Sequence, residues 1–271
     1  MSALEEKKVL ARKLLSNEEG FGGLFSNYEE FQSFSLFTNP TFSEDPVFNH
    51  FVLKEKVVEQ SSAEVLTPVI EQLKKISSSL GFKTTVFLEN LWNNSSLLGK
   101  LAVDKGFRVR DKMEILSKHV DSKNPIDIED KIKVRISKDY ANWNRIFVSS
   151  FQIPESWNEE LLRREEVATK NDSVNLILGR ELWSDEDQGC LLSFLDESKV
   201  MGIYCVGTLP RWRGRGIAKM MMRFVENNAR NLGCNLLTLQ TINSDGVSPM
   251  YKKIGYRTEF ERDIFWNPLL E

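Results

Sequence analysis

Val206-Gly207-Thr208-Leu209-Pro210-Arg211-Trp212-Arg213-Gly214-Arg215-Gly216-Ile217-Ala218-Lys219 is the stretch on which the reading of this chain turns. Upstream, 200–207 (VMGIYCVG) reads as a strand. Downstream, Met221, Met222 and Val225 recur at helical spacing from Ile217 to about Arg230, and Gly233 is the expected stop. A glycine turn that leads a strand into a helix presents unpaired backbone N–H groups at the positive end of the helix dipole. Gly214 and Gly216 let an anion approach the backbone without a Cβ in the way. Arg211, Arg213 and Arg215 add charge for phosphate oxygens. The segment predicts a pyrophosphate cradle, and neither common nucleotide motif fits it. Lys219 stands where GxGxxG needs its third glycine, and no GxxxxGK[ST] occurs.

The flanking pattern is regular. Ile132, Val134 and Ile136 alternate as a strand, and Trp143, Ile146, Phe147 and Phe151 follow at helical spacing. A second helix runs from Ser156, read as its N-cap, through Leu161, Leu162 and Val167. Strands are expected at 174–179, 190–195 and 200–207, the last two joined as a hairpin by Asp196-Glu197-Ser198. A strand at 236–241, a short helix at 247–254 and a strand at 256–266 close the order β-α-α-β-β-β-α-β-α-β.

In that order, Arg213-Gly214-Arg215-Gly216-Ile217-Ala218 resembles motif A of the GCN5-related N-acetyltransferases, R-x-x-G-x-A/G. Thr208-Leu209-Pro210 sits where many members have V-x-P or T-x-P. Leu239-Gln240-Thr241 and Ser248 to Tyr256 (SPMYKKIGY) look like motif B. The resemblance covers about 132–266. It implies an α/β (α+β) fold with a mixed, mostly antiparallel central sheet flanked by helices, in which strands 200–207 and 236–241 splay around acetyl-CoA.

The same resemblance implies site roles. Pantetheine would pair with backbone at Val206, Gly207 and Thr208. The pyrophosphate would rest on N–H groups of Gly214, Arg215, Gly216, Ile217, Ala218 and Lys219, beside Arg213. Tyr251 matches the tyrosine that protonates the departing CoA thiolate. Many members carry Asn seven residues before it; here that position is Ser244, with Asn243 adjacent. Some members place a basic Glu on the strand that here reads LLTLQT, which has no carboxylate. Glu181, Asp187 and Asp196 remain by elimination, each more simply a solvated loop or turn charge. The base is unassigned.

The implied activity is transfer of an acetyl group from acetyl-CoA to a primary amine of a small molecule, by direct attack in a ternary complex without a metal. The alternatives are a non-catalytic acyl-CoA-binding or regulatory module, and acetylation of protein N-termini or lysines.

The first half echoes the second. Placing Gly106-Phe107 on Gly255-Tyr256, an offset of 149 residues, brings a helix at about 66–80, Gly81, a strand at 83–88 and a helix at 94–104 onto the later series. At that offset Glu64 to Val69 (EVLTPV) replaces the glycine turn and Ala102 replaces Tyr251. The Gly20-Gly22-Gly23 cluster follows no strand. The expectation is two tandem domains of this fold: a degenerate copy at 1–120, a linker at 121–131, and a catalytic domain at 132–271. The first copy is read either as a wall of the acceptor pocket or as a purely structural partner.

Composition bounds the alternatives. Of 271 residues, 41% are hydrophobic and 28% charged, ordinary for a folded protein. Lys and Arg total 36 against 39 Asp and Glu, a net charge of −3 that makes no electrostatic case for nucleic acid. Three scattered cysteines form no disulfide framework, and two histidines leave little for a zinc site. No apolar run reaches the ~18 residues of a membrane span, and MSALEEKKVLARKLL reads as an amphipathic helix, not a signal peptide. The expectation is a cytoplasmic protein; oligomeric state leaves no signal. Cys205, Met220 to Met222, Trp143, Phe147 and Trp157 are read as packing, and His50 and His119 as surface residues.

Overall fold

The computed structural model describes residues 2–43, 45–60, 62–120 and 131–267, so most of the expected linker lies outside the described residues. The first half contains α1 (Ala3–Phe25), β1 (Asn27–Glu30), β2 (Phe34–Thr38), β3 (His50–Leu53), α2 (Glu55–Gln60), α3 (Ala63–Leu80), β4 (Thr85–Glu89), α4 (Ser95–Asp104) and β5 (Arg108–His119). The second contains β6 (Ile132–Ser137), α5 (Tyr140–Phe151), α6 (Asn158–Ala168), β7 (Val174–Glu181), β8 (Gly189–Leu195), β9 (Val200–Thr208), α7 (Ile217–Asn231), β10 (Leu236–Ile242), α8 (Ser248–Lys253) and β11 (Arg257–Trp266).

All eleven strands form one mixed sheet, ordered β1-β2-β3-β4-β11-β5-β10-β9-β8-β7-β6. Two strand pairs are parallel, β3 with β4 and β9 with β10, each joined by a crossover helix, α3 or α7. The series β3-α3-β4-α4-β5 thus recurs as β9-α7-β10-α8-β11, which is the duplication read from the 149-residue offset. The last strands are exchanged. β11 lies between β4 and β5, while β5 lies between β10 and β11. Each half therefore completes the sheet of the other.

Helices cover both faces. α1, α5 and α6 pack over β7 to β9 in a core that includes Phe21, Trp143, Phe147, Leu161, Leu192 and Tyr204. On the opposite face α7 buries Ile217, Met220, Met221, Met222 and Val225 against Ile177, Leu191, Ile203 and Leu237. The expected packing roles of the three methionines, Trp143, Phe147 and Trp157 are those seen. α3 stops at Gly81 (φ 73°), where the left-handed turn suits a residue without Cβ.

Local readings differ at several points. α1 continues to Phe25, beyond the apolar-charged pattern at its start. Gly20 and Gly22 lie inside it because the helix passes close to other rings: a Cβ at Gly20 would sit 2.8 Å from Phe194 Cε1, and one at Gly22 3.3 Å from the Phe37 ring. Ser156 is not an N-cap, since a 3-10 turn at Glu155–Trp157 leads directly into α6. His50 is not on the surface. It opens β3, buried between Phe37 and Phe87 at ring-centroid distances of 4.8 and 4.7 Å. His119 is exposed as expected, at the end of β5. No helix among the described residues is long and apolar enough to cross a membrane.

Candidate acyl-transfer site

The site forms where β9 and β10 part. They share rungs only at Val200↔Leu236, Met201↔Leu237 and Gly202↔Thr238. Beyond these, β9 continues to Thr208 alongside β8, and β10 continues to Ile242 alongside β5. A bulge sets the divergence. The β8–β9 register slips between Cys190↔Gly207 and Leu192↔Tyr204, and Cys205 takes φ 55°. A side chain held in the left-handed region costs on the order of 1–2 kcal/mol, so the surrounding packing enforces this bend. Cys205 itself packs against the α5–α6 core, where burial holds its thiol protonated.

Val206, Gly207 and Thr208 are the last three residues of β9, on the open side of the bulge. Gly207 is required by contact. A Cβ there would lie 2.8 Å from Ser150 Cβ on α5 and 2.9 Å from Cys190 Sγ. A 3-10 turn at Pro210–Trp212 then leads to Gly214 (φ 77°) and Gly216 (φ 85°), and Gly216 is the N-cap of α7. No side chain caps this helix among the described residues. Its first bond runs from Met220 N–H to the Gly216 carbonyl, so the N–H groups of Ile217, Ala218 and Lys219 precede the helical ladder.

The arginines do not all face open solvent. Arg213 donates from Nη2 to the Ser150 carbonyl at 2.8 Å and from Nε to the Thr208 carbonyl at 3.3 Å, tying the turn to α5 and β9. Arg215 donates to Glu181 at 3.4 Å and lies over the Trp212 ring, 4.5 Å from its centroid. Arg211 pairs with Glu186. The turn's geometry thus belongs to Arg213, while the charges of Arg215 and Arg211 are shared with Glu181 at the end of β7 and Glu186 on the β7–β8 loop.

Tyr251 sits on α8, buried in the α7-side core next to Leu237, Leu239 and Tyr256. Burial, reinforced by Asp245, pushes its hydroxyl up to about 12, so it keeps its proton at neutral pH. Asn243 and Ser244 form the 3-10 turn that ends β10, and both are exposed. Ser244 is engaged from the first half: burial pushes Asp111 of β5 up, but hydrogen bonds from the Ser244 hydroxyl and backbone hold that carboxyl below its ordinary value.

Of the carboxylates named by elimination, two are closed in ion pairs, and the third, Asp196, is engaged through Oδ1 while its buried Oδ2 has no partner among the described residues. Glu181 and Asp187 are buried, not solvated as expected, because each closes an ion pair: Glu181 with Arg215, and Asp187 with Arg135 at 2.7 Å and Asn142 at 2.8 Å. Asp196 holds the hairpin turn, accepting from Val200 N–H at 3.0 Å and Ser198 Oγ at 2.8 Å. Neither Glu181 nor Asp187 is disposed as a free base, and Asp196 lies at the hairpin that begins β9, at the other end of the strand from Thr208.

Other residues of the site carry no local motif. Asn17 of α1 donates to the Val200 carbonyl at 3.0 Å and accepts from the Tyr204 hydroxyl at 2.7 Å, while Phe21 stacks on the Tyr204 ring at 3.7 Å. The first half thereby braces β9 on the face opposite α7. Glu165 of α6 is fully buried, and neither carboxyl oxygen has a partner among the described residues. Burial alone pushes it up to about 9, so it is neutral at pH 7. Trp212, inside the decisive stretch yet unassigned from sequence, has a buried indole N–H without an acceptor among the described residues.

An acyl-CoA fits these features. The N–H groups of Ile217 and Ala218, ahead of the first helical bond, suit a diphosphate, and the glycine turn leaves space, since a Cβ at Gly214 would meet nothing within 4 Å. The parted strands offer backbone to an amide-bearing chain. Trp212 Nε1, in the turn before α7, and Thr241 Oγ1, on β10, are buried polar atoms without partners among the described residues, available to a polar ligand.

The strand gap, the glycine turn at the start of α7 and the buried tyrosine on α8 all lie in the second half of the chain. Residues 140–256 match the family model described as Acetyltransferase (GNAT) family. The whole chain resembles solved structures of that fold. A GCN5-related N-acetyltransferase from Kribbella flavida is 12% identical, with 98% of this chain and 95% of that chain covered at a TM-score of 0.69. A GCN5-related N-acetyltransferase from Sphaerobacter thermophilus is 15% identical, with 98% and 93% covered at 0.67. A conserved protein of unknown function from Staphylococcus epidermidis is 12% identical, with 89% and 94% covered at 0.64. No curated protein matches the sequence. At these identities the solved structures speak for the fold alone.

Proposed function

We propose that the protein transfers an acetyl group from acetyl-CoA to a primary amine of a small molecule. The observation that carries this is the parting of β9 and β10 after Gly202↔Thr238, followed by a glycine turn at the N-terminus of α7, with Tyr251 buried in the core that α7 shares. Acetyl-CoA supplies the activated thioester. Backbone N–H groups from Gly214 to Lys219 hold its diphosphate, Val206 to Thr208 pair with its pantetheine, and a β9 N–H near Thr208 polarises the carbonyl. Tyr251 donates its proton to the sulfur as the neutral amine displaces it, and the surplus proton on nitrogen returns through water to the phenolate. Most of the rate enhancement is positioning of amine and thioester together.

A small acceptor is favoured over a protein chain because the α5–α6 face is already covered. Phe21, Phe25, Phe42 and Phe48 of the first half pack there against Tyr204 and Trp157. This cover also favours the first half as a wall of the acceptor pocket. The rival reading, an acyl-CoA-binding module without turnover, is favoured by one observation: Glu181 and Asp187 are committed to ion pairs, and Asp196 lies at the far end of β9 from Thr208. Incubation with acetyl-CoA and a panel of primary amines, read as free thiol and acetylated product, separates the two. Saturable acetyl-CoA binding without product from any amine supports the module.

A further inference from the structure

The first half repeats the opening of the second. β3 and β4 share rungs only at His50↔Thr85, Phe51↔Val86 and Val52↔Phe87, and then Leu53 and Lys54 part from Leu88 and Glu89. On the face crossed by α1, this divergence opens onto a cavity of about 320 Å³. By the duplication it is the counterpart of the α5–α6 side of the β9/β10 gap, where an acceptor would approach. The first half lacks the glycine turn that would accompany a CoA, so what survives is the acceptor side of a site.

The cavity has more carboxyl groups than cations to pair with them, and burial pushes the Glu89 carboxyl up. Two ion pairs on its wall are closed, Arg12 with Glu55 at 2.6 Å and Lys54 with Glu30 at 2.6 Å. Lys8, 5.8 Å from the Trp92 ring centroid, is held by Glu59 at 2.7 Å. At the floor, buried Glu89 accepts from Trp92 Nε1 at 3.3 Å and lies 3.8 Å from Arg262 Nη1. Arg262 Nη2 is taken by Glu18. Glu19 has no hydrogen-bond partner among the described residues. One guanidinium therefore serves three carboxyl groups. Burial, then the charges of Glu18 and Glu89, push Glu19 up to about 7 against the pull of Arg262.

We propose that this cavity binds an organic ammonium ion, a primary alkylammonium whose charge pairs with Glu19 and whose hydrocarbon lies along Leu15, Val52 and Trp92. The volume suits a small ligand, and an apolar wall beside a single free carboxylate suits an amphipathic cation better than a metal ion, which seeks several oxygen ligands. The comparison with an acceptor side rests on the acyl-transfer reading, whereas the titration below reads the cavity alone and can fail without it. Glu19 is the carboxylate above its pKa of about 7, so affinity rises about tenfold from pH 6 to pH 8 and then levels.

The test uses the full chain labelled with 5-fluorotryptophan, with Trp92 assigned among the six tryptophans by Trp92→Phe. Titration with n-butylammonium chloride at pH 8 is expected to move the Trp92 fluorine resonance saturably. Binding is expected to weaken about tenfold at pH 6, and at least tenfold at pH 8 in Glu19→Gln. Should Glu19→Gln fail to fold, seen as displacement of the other five resonances, the pH series on the unaltered chain decides. The proposal is overturned if Trp92 does not respond, if n-butanol or potassium chloride moves it equally, or if the response ignores both pH and Glu19→Gln.

Discussion

Gly179 and Gly189 lie directly opposite each other on the β7–β8 rung beneath the start of α7. A Cβ at Gly189 would come within 2.7 Å of Ile217 Cγ2 and 2.8 Å of Met221 Cε; one at Gly179 would reach 2.9 Å from Met221 Cγ. Two glycines thus set how closely the α7 N-terminus approaches the sheet. Gly189→Ala is expected to cost about 1–3 kcal/mol of stability by overpacking and to displace the N–H groups of Ile217 to Lys219. Calorimetric titration should then give weaker acetyl-CoA binding, even at temperatures where the variant stays folded.

Removing one oxygen separates chemistry from binding at Tyr251. Tyr251→Phe keeps the buried ring and removes the proton donor, so kcat is expected to fall on the order of 100-fold while acetyl-CoA affinity changes less than about twofold. Because the native hydroxyl is raised to about 12, its ionisation should place no alkaline limb on the rate at ordinary assay pH. Its stabilising contribution is complete below the unfolded value near 10 and disappears as pH rises through about 12.

Glu165 predicts a pH dependence of opposite origin from the usual carboxylate. Its folded value of about 9 lies above the ordinary 4.5, so the native state holds a proton that the unfolded state releases. Its contribution to stability is full below about pH 4.5 and is lost progressively as pH rises towards 9. Glu165→Gln should flatten that decline and raise the melting temperature at pH 8 relative to the parent. Equal slopes of melting temperature against pH in both proteins would contradict the neutral, unpartnered carboxyl.

The exchanged strands predict that neither half stands alone. Residues 132–271 without β5 leave facing edges of β10 and β11 unpaired, and residues 1–120 without β11 separate β4 from β5. Each fragment expressed singly is expected to aggregate, and co-expression should recover a soluble pair that co-purifies. A monomeric, folded 132–271 fragment would contradict the exchange.

What could be read before the fold was known follows the range of the interactions involved. The glycine turn, the α7 pattern and the position of Tyr251 are local. Each depends on residues within one or two turns of chain, and the structure has the turn and both helices where the sequence puts them. The strand exchange is not local. β5 and β11 occupy equivalent places in the two repeats, so the repeat is the same whether each strand stays with its own half or crosses. His50 was misread because its burial comes from Phe37 and Phe87 on neighbouring strands, not from its own segment. Glu181 and Asp187 look like loop charges until Arg215 and Arg135 are brought to them. The role of Asn17, nearly two hundred residues from Tyr204, leaves no mark on any pattern of spacing.

The central claim is that the turn from Arg213 to Lys219 binds an acyl-CoA diphosphate, and isothermal titration of acetyl-CoA tests it most directly. The partners are the unaltered protein and the Arg213→Glu/Gly216→Asp double variant, which cuts the tie to Ser150 and places an acidic side chain at the left-handed N-cap of α7. The account predicts one-to-one binding to the parent and its loss in a double variant that still unfolds cooperatively. Absence of binding to the parent, or unchanged binding to the folded double variant, would contradict it.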